Sequence, residues 1–248
     1  MTSKDVVYTA DNILCRVLRH DIQNHDHGHK GSAFHARPIS TFVTPSEKYV
    51  VALGIDDKYI VTAQILQVVN KDLKSLGYYT FPVLSDRVEI INDRYVLAGS
   101  LTKDSRSILS MSDLDRNTPL KEIMDKVLDF CVSDQNILFI SDLPIDNSQN
   151  VTAYKLIDGL LQPVSIPITV PRNYKSKCLT DNHILLAPVS GGVDTLVYVY
   201  AYDNNFTLSL RSQIKLDYTK GIKFDLVDNI ITSSDKSDNH KFYDYDFK

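Results

Sequence analysis

A short phrase that returns about every 45 residues, and turn-forming residues that punctuate each interval between its copies, predict an all-β fold: a single β-propeller of about six blades over residues 1–248, with the final blade incomplete or open. The phrase is a polar turn, a β-branched strand, a second turn and a strand carrying Tyr or acidic residues near its end. It occurs as Asp11-Asn12-Ile13-Leu14, Glu47-Lys48-Tyr49-Val50-Val51, Asp93-Arg94-Tyr95-Val96-Leu97, Gln135-Asn136-Ile137-Leu138-Phe139, Asn182-His183-Ile184-Leu185-Leu186 and Asp228-Asn229-Ile230-Ile231. The anchors 13, 49, 95, 137, 184 and 230 stand 36, 46, 42, 47 and 46 residues apart. A period of this size holding several short strands is that of blades around a common axis.

The fifth interval shows the order of elements. It predicts strands over 176–180, 184–189, 195–202 and 208–214, separated by Asp181-Asn182, Ser190-Gly191-Gly192 and Asp203-Asn204-Asn205. Those residues tolerate positive φ or bond their own backbone, and so close tight turns. Leu196, Tyr198, Tyr200 and Tyr202 alternate with Val197, Val199 and Ala201, so both faces of the third strand are apolar, as blades stacked face to face require. The same order predicts strands over 60–67 and 77–81, 106–111, and 151–156 and 162–168. The first interval is the shortest and most polar, and predicts a lost or shortened strand. Val96, Leu138, Leu185 and Ile231 share one place in the phrase and are expected to be buried at equivalent positions.

Residues 118–128 carry two patterns. Thr118 and Pro119 suit a helix start, and apolar residues follow at helical spacing. Repeat position instead makes 120–123 a fourth strand and 127–132 the first strand of the next unit. Short apolar runs do not separate the two periods, so repeat position decides for strands. By the same order, 240–248 is the third strand of the last unit. Its outer edge is then completed by residues 5–9 or by a strand from a partner.

The arrangement resembles the WD40-like β-propellers, in a divergent form. That family's units close their third strand with Trp-Asp and open with Gly-His. This chain has no Trp, and its Gly28-His29 lies where no unit opens; the nearest closing pairs are Tyr202-Asp203, Tyr154-Lys155 and Tyr243-Asp244. The resemblance implies a disc whose rims and loops bind other macromolecules within an assembly. It names no partner, because one fold hosts many functions.

Charge narrows the function classes. Lys plus Arg number 27 and Asp plus Glu 31, a net charge of −4, so no global field favours nucleic acid or an anionic membrane. Arg172, Lys175 and Lys177 make the nearest basic patch, and a few charges in a loop are usually a solvated turn. No apolar run approaches 18 residues and Met1-Thr2-Ser3-Lys4-Asp5 does not resemble a secretory leader, so a cytosolic or nuclear protein without a membrane span is expected. Cys15, Cys131 and Cys178 stand singly in or beside apolar runs, which predicts reduced, buried thiols.

No nucleophile elbow, phosphate loop or paired-Cys motif is present, and the Asp residues fall in turns, where they serve the backbone. No cofactor and no catalytic residue are assigned. The densest chemistry is the His-rich loop 20–35, where His25, His27 and His29 alternate; imidazoles so spaced can ligate zinc or copper, though a polar segment with nothing to order it predicts a mobile loop. Two aromatic runs supply large amphipathic rings of the kind enriched at interface hot spots, and they provide the partner-binding candidates Tyr78, Tyr79, Phe81, Tyr243, Tyr245 and Phe247. Blade packing uses the same residue types. The function expected is a non-catalytic protein–protein interaction scaffold within a multi-subunit complex. The alternatives are a metal-dependent enzyme or binder using residues 20–35, and an RNA-associated propeller subunit.

Overall fold

The computed structural model describes the backbone of residues 2–244 apart from 4–5, 12–15, 22–25, 34–36, 44–47, 56–60, 70–71, 81–86, 102–105, 117, 180–181, 189–195, 217–219, 226–229 and 235–239. Side chains are described at 48–52, 54, 64–69, 72–76, 87–99, 106–116, 118–179, 182–188 and 196–216. Among the described residues there is no helix, so none long and apolar enough to cross a membrane.

Among the described residues, six antiparallel sheets follow one another along the chain. The first holds β1 (Thr2–Ser3), β2 (Val6–Asp11), β3 (Arg16–Asp21) and β4 (Asp26–Ala33). The second holds β5 (Arg37–Val43), β6 (Tyr49–Ile55), β7 (Val61–Val69) and β8 (Asp72–Thr80). The third holds β9 (Arg87–Ile91), β10 (Tyr95–Leu101), β11 (Ser107–Asp113) and β12 (Lys121–Asp125). The fourth is built from β13 (Val127–Val132), β14 (Leu138–Asp142) and β15 (Ser148–Ile157), with β16 (Leu160–Pro163) and β17 (Ile168–Pro171) both on the outer side of β15. The fifth holds β18 (Tyr174–Cys178), β19 (His183–Pro188), β20 (Leu196–Tyr202) and β21 (Leu208–Lys215). The sixth holds β22 (Lys220–Asp225), β23 (Ile230–Ser234) and β24 (His240–Asp244). The sheets divide into two compact units, Met1–Lys126 and Val127–Lys248.

Local chemistry explains the hairpins. Asn136 and Asn182 adopt φ of 58° and 63° at matching places in the β13–β14 and β18–β19 turns, a region Asn tolerates better than most residues. At the β20–β21 turn the Asp203 carboxylate accepts from the N–H groups of Asn205 and Thr207, at 2.8 and 2.9 Å.

Each unit buries apolar residues between successive sheets. In the first, Tyr49, Val51 and Ile65 of the second sheet pack on Val88, Ile90, Val96 and Ala98 of the third. The Tyr49 hydroxyl donates to the Asp93 carbonyl at 3.0 Å, and Lys48 Nζ lies 2.6 Å from Asp93 Oδ2. In the second unit, Cys131, Ile137, Phe139, Val151 and Ala153 of the fourth sheet meet Tyr174, Ile184, Leu186 and Tyr202 of the fifth. The opposite face of the fifth sheet buries Leu185, Ala187, Val197 and Val199 against Leu179 and Leu216. Both faces of β20 are thus used, as its alternation predicts.

Residues 121–125 and 127–132 are strands, not a helix. Several expectations are corrected. Val96, Leu138 and Leu185 are all buried, but Val96 faces the preceding sheet whereas Leu185 faces away from it; Ile184 is the residue on the face that packs on the fourth sheet. The anchor in the fifth unit is therefore one residue late, and with a side-chain period of two a slip of one changes the face. Ile231 has its backbone in β23, its side chain outside the described set. The His-rich segment is not a loop throughout, because 26–33 forms β4, with Arg19 opposite His29 and Asp21 opposite Asp26; ladder bonds to β3 supply the order its side chains do not. The first sheet has four strands with a two-residue β1, and β3, which follows the Asp11 phrase, is third in its sheet where the phrase elsewhere opens the second strand. The expected strand over 162–168 is split into β16 and β17.

The cysteines are also corrected. Cys131 and Cys178 form a disulfide, with Cα atoms 5.6 Å apart. Their separation of 47 residues is about one repeat, which sets them opposite each other on the first strands of successive sheets; no local spacing motif marks such a pair. Cys15 lies outside the described residues.

Candidate functional site

The fourth strands form the outer edges of their sheets. In three of them a single extra residue interrupts the ladder, Leu76 on β8, Ile123 on β12 and Arg211 on β21, each between two residues that pair with consecutive positions on the third strand, and on β4 the register shifts twice between Asp26 and Ser32. Such bulges twist an edge and blunt its pairing with other strands. The fourth sheet carries a larger interruption, since 164–167 loops out between β16 and β17. That loop is fixed at its base: the Val164 N–H donates to the Ala153 carbonyl at 2.9 Å, and the Ser165 hydroxyl oxygen accepts from the Ala153 N–H at 2.9 Å.

The interruption carries apolar side chains outward. Ile166 is 85% exposed and Leu160, beside the Asp158-Gly159 turn, is 68% exposed. Leu76 on β8 and Leu210 on β21 are exposed as well. Sequence reasoning missed these four. The signal was present in the fourth interval, where Leu160-Leu161 and Ile166-Pro167 interrupt the polar alternation an edge strand would show.

Tyr78 and Tyr79 lie on β8, opposite Gln64 and Ala63 of β7, and Tyr243 lies on β24, opposite Ile231. All three are therefore on the last strand of a sheet. Phe81, Tyr245 and Phe247 fall outside the described residues. His27 and His29 occupy alternate positions of β4, and His25 is outside the described residues. The aromatic candidates divide between the second and sixth sheets.

The strongest charge arrangement is structural. The Arg94 guanidinium grips the Asp113 carboxylate through Nε at 3.0 Å and Nη2 at 2.7 Å, and its carbon lies 5.0 Å from the centre of the Tyr95 ring. The hydrogen bonds from Arg94 hold the Asp113 carboxyl below its ordinary range, helped by the N–H groups of Arg116 and Asp115. Burial alone pushes the Asp142 carboxyl up, and burial likewise raises the phenols of Tyr154, Tyr200 and Tyr202.

No protein-family model and no curated protein matches the chain. Solved structures do. A chain of the mitotic checkpoint complex aligns over 97% of this chain and 71% of its own length, with a TM-score of 0.62 and 12% identity. The β-propeller domain of Cps50 (Swd1) from Myceliophteria thermophila aligns over 98% and 81%, at 0.58 and 9%. The fold is that of a β-propeller. A protein of Bacteroides fragilis provisionally assigned as a 6-phosphogluconolactonase aligns over 99% and 79%, at 0.58 and 12%, so the architecture is shared by proteins of different function.

Proposed function

We propose that this propeller is a non-catalytic scaffold for protein–protein interaction, a subunit of a cytosolic or nuclear multi-protein complex. The observation that carries this reading is where the apolar surface lies. Leu76, Leu160, Ile166 and Leu210 are exposed on the fourth strands and their interruptions, and Val69, Ile145 and Ile157 are exposed at the ends of third strands and in the β14–β15 turn. Large exposed apolar side chains on sheet edges are what a protein partner desolvates. Tyr78 and Tyr79 on β8 and Tyr243 on β24 are the aromatic anchors this reading assigns to such edges, with Phe81, Tyr245 and Phe247 close to them in sequence. The fold likeness to a chain of a multi-protein checkpoint assembly supports the same reading.

The test is affinity purification of the tagged chain from its native extract, with identification of co-purifying proteins. Wild type should retain a defined set, and I166D together with the Tyr78→Ala/Tyr79→Ala variant should lose members of it while keeping the wild-type circular dichroism. Equal recovery by all three would overturn the assignment of these edges. A second reading, metal binding through His25, His27 and His29, rests on the alternate placement of His27 and His29 along β4. Stoichiometric zinc or copper in the purified protein, lost in the triple alanine variant, would replace the scaffold reading with that one.

A further inference from the structure

Strands β13 and β18 run side by side as the first strands of the fourth and fifth sheets, and four sets of interactions tie the fourth sheet and its turns to the fifth along this seam. Asp129 Oδ2 accepts from the Ser176 N–H at 2.5 Å and from its hydroxyl at 2.9 Å. The Gln149 amide donates to the Tyr174 carbonyl at 2.8 Å and accepts from the Tyr174 N–H at 3.0 Å. The Gln135 amide donates to the Asn182 side-chain oxygen. Between the first and last of these sit Cys131 and Cys178, two residues along from Asp129 and Ser176 on the same faces.

Three of the four sets are non-covalent, so the two sulfurs stay within bonding reach whether or not the bond exists. The cysteines also differ in access. Cys131 is 1% exposed, inside the apolar cluster, whereas Cys178 is partly exposed. Exchange rate follows access to the attacked sulfur, and of the two residues Cys178 is the one with exposed surface.

We infer that Cys131 and Cys178 form a reversible thiol–disulfide site, acted on by low-molecular-weight thiols and disulfides of the glutathione class through Cys178. In reduction, a thiolate RS⁻ attacks Sγ of Cys178, the Cys131–Cys178 bond breaks, and Cys131 leaves as a thiolate that takes a proton from water. A second RS⁻ attacks the R sulfur of the mixed disulfide and releases RSSR, and Cys178 is protonated in turn. Two RSH are oxidised to RSSR, and two electrons and two protons end on the cysteine pair. Oxidation is the reverse. Intracellular disulfides are typically transient and redox-sensing, and to that extent the inference rests on the cytosolic or nuclear location proposed above. The device sets whether the seam between the fourth and fifth sheets is covalently tied.

The test uses the full folded chain in buffers spanning reduced to oxidised glutathione, quenched in acid, alkylated and mapped by mass spectrometry. Expected is interconversion of the Cys131–Cys178 disulfide and the dithiol while the far-ultraviolet circular dichroism is unchanged. C131S should accumulate a glutathione mixed disulfide at Cys178, and C178S about tenfold less at Cys131, as unequal access demands. If either variant misfolds, mixed disulfides trapped early in wild-type reduction give the same readout and should sit on Cys178. Resistance of the bond to excess reduced glutathione in the folded protein, free thiols persisting in excess oxidised glutathione, or equal modification of the two cysteines would each overturn the proposal.

Discussion

At the residue scale, Phe139 shows how tightly the seam between the fourth and fifth sheets is packed. Its fully buried ring lies 5.1 Å from that of Tyr202, so Phe139→Ala removes a large side chain that its neighbours cannot replace and is expected to cost about 3–5 kcal/mol in urea unfolding. Ile166→Ala, at a site 85% exposed, should stay within about 0.5 kcal/mol in the same assay. Charge obeys the same dependence on setting. Arg94 depresses the Asp113 carboxyl, so that pair stabilises the fold above the ordinary carboxylate value of about 3.9, and the contribution is lost as pH falls through the depressed folded value. Urea midpoints of wild type and Arg94→Met between pH 7 and pH 3 should therefore differ by a constant amount at the upper end and converge at the lower. A difference that widened on acidification would refute the assignment.

Elements are joined to one another by side chains that serve backbone groups, and Gln149 is the clearest case. It reaches from β15 to the N–H and carbonyl of Tyr174 on β18, and the residue is buried. Gln149→Leu fills the volume but removes both hydrogen bonds to the Tyr174 backbone, for an expected loss of about 2–4 kcal/mol by calorimetry. Gln149→Glu should rescue only the bond from the Tyr174 N–H, and a wild-type melting temperature in Gln149→Leu would show that water replaces the amide. This scale is also where sequence reading succeeds and fails for identifiable reasons. Residues 118–128 satisfied the helical pattern locally, yet strands formed because the repeat demands a ladder partner there. The anchor at 184 was one residue late because Ile184, Leu185 and Leu186 are all apolar, so composition could not set the register that decides which of them meets the fourth sheet. The Cys131–Cys178 pair was invisible for a related reason: its geometry arises from stacking one repeat on the next.

At the scale of the whole molecule, the repeat made the six sheets legible, since every interval supplied its own strands and turns. The candidate site was much less so, because exposed edge residues are set by how each sheet ends and no local motif in the sequence encodes that. The sixth sheet joins these two levels. Among the described residues its last strand is β24, paired on one side with β23 from Ile230 opposite Asp244 to Ser234 opposite His240. The segment expected to be able to close that edge, residues 5–9, has most of its length in β2, which already lies between β1 and β3. We propose that a protein partner adds a strand to the outer edge of β24, with the ladder giving affinity and the Tyr243 position giving specificity. Deleting 240–248 removes β24 together with Tyr243, Tyr245 and Phe247. The expected outcome is loss of the co-purifying partner, with the other five sheets retained and a cooperative urea transition at a lower midpoint. Unimpaired capture of the partner by the truncated chain would end this proposal, and loss of the transition itself would show that β24 instead closes the fold from within.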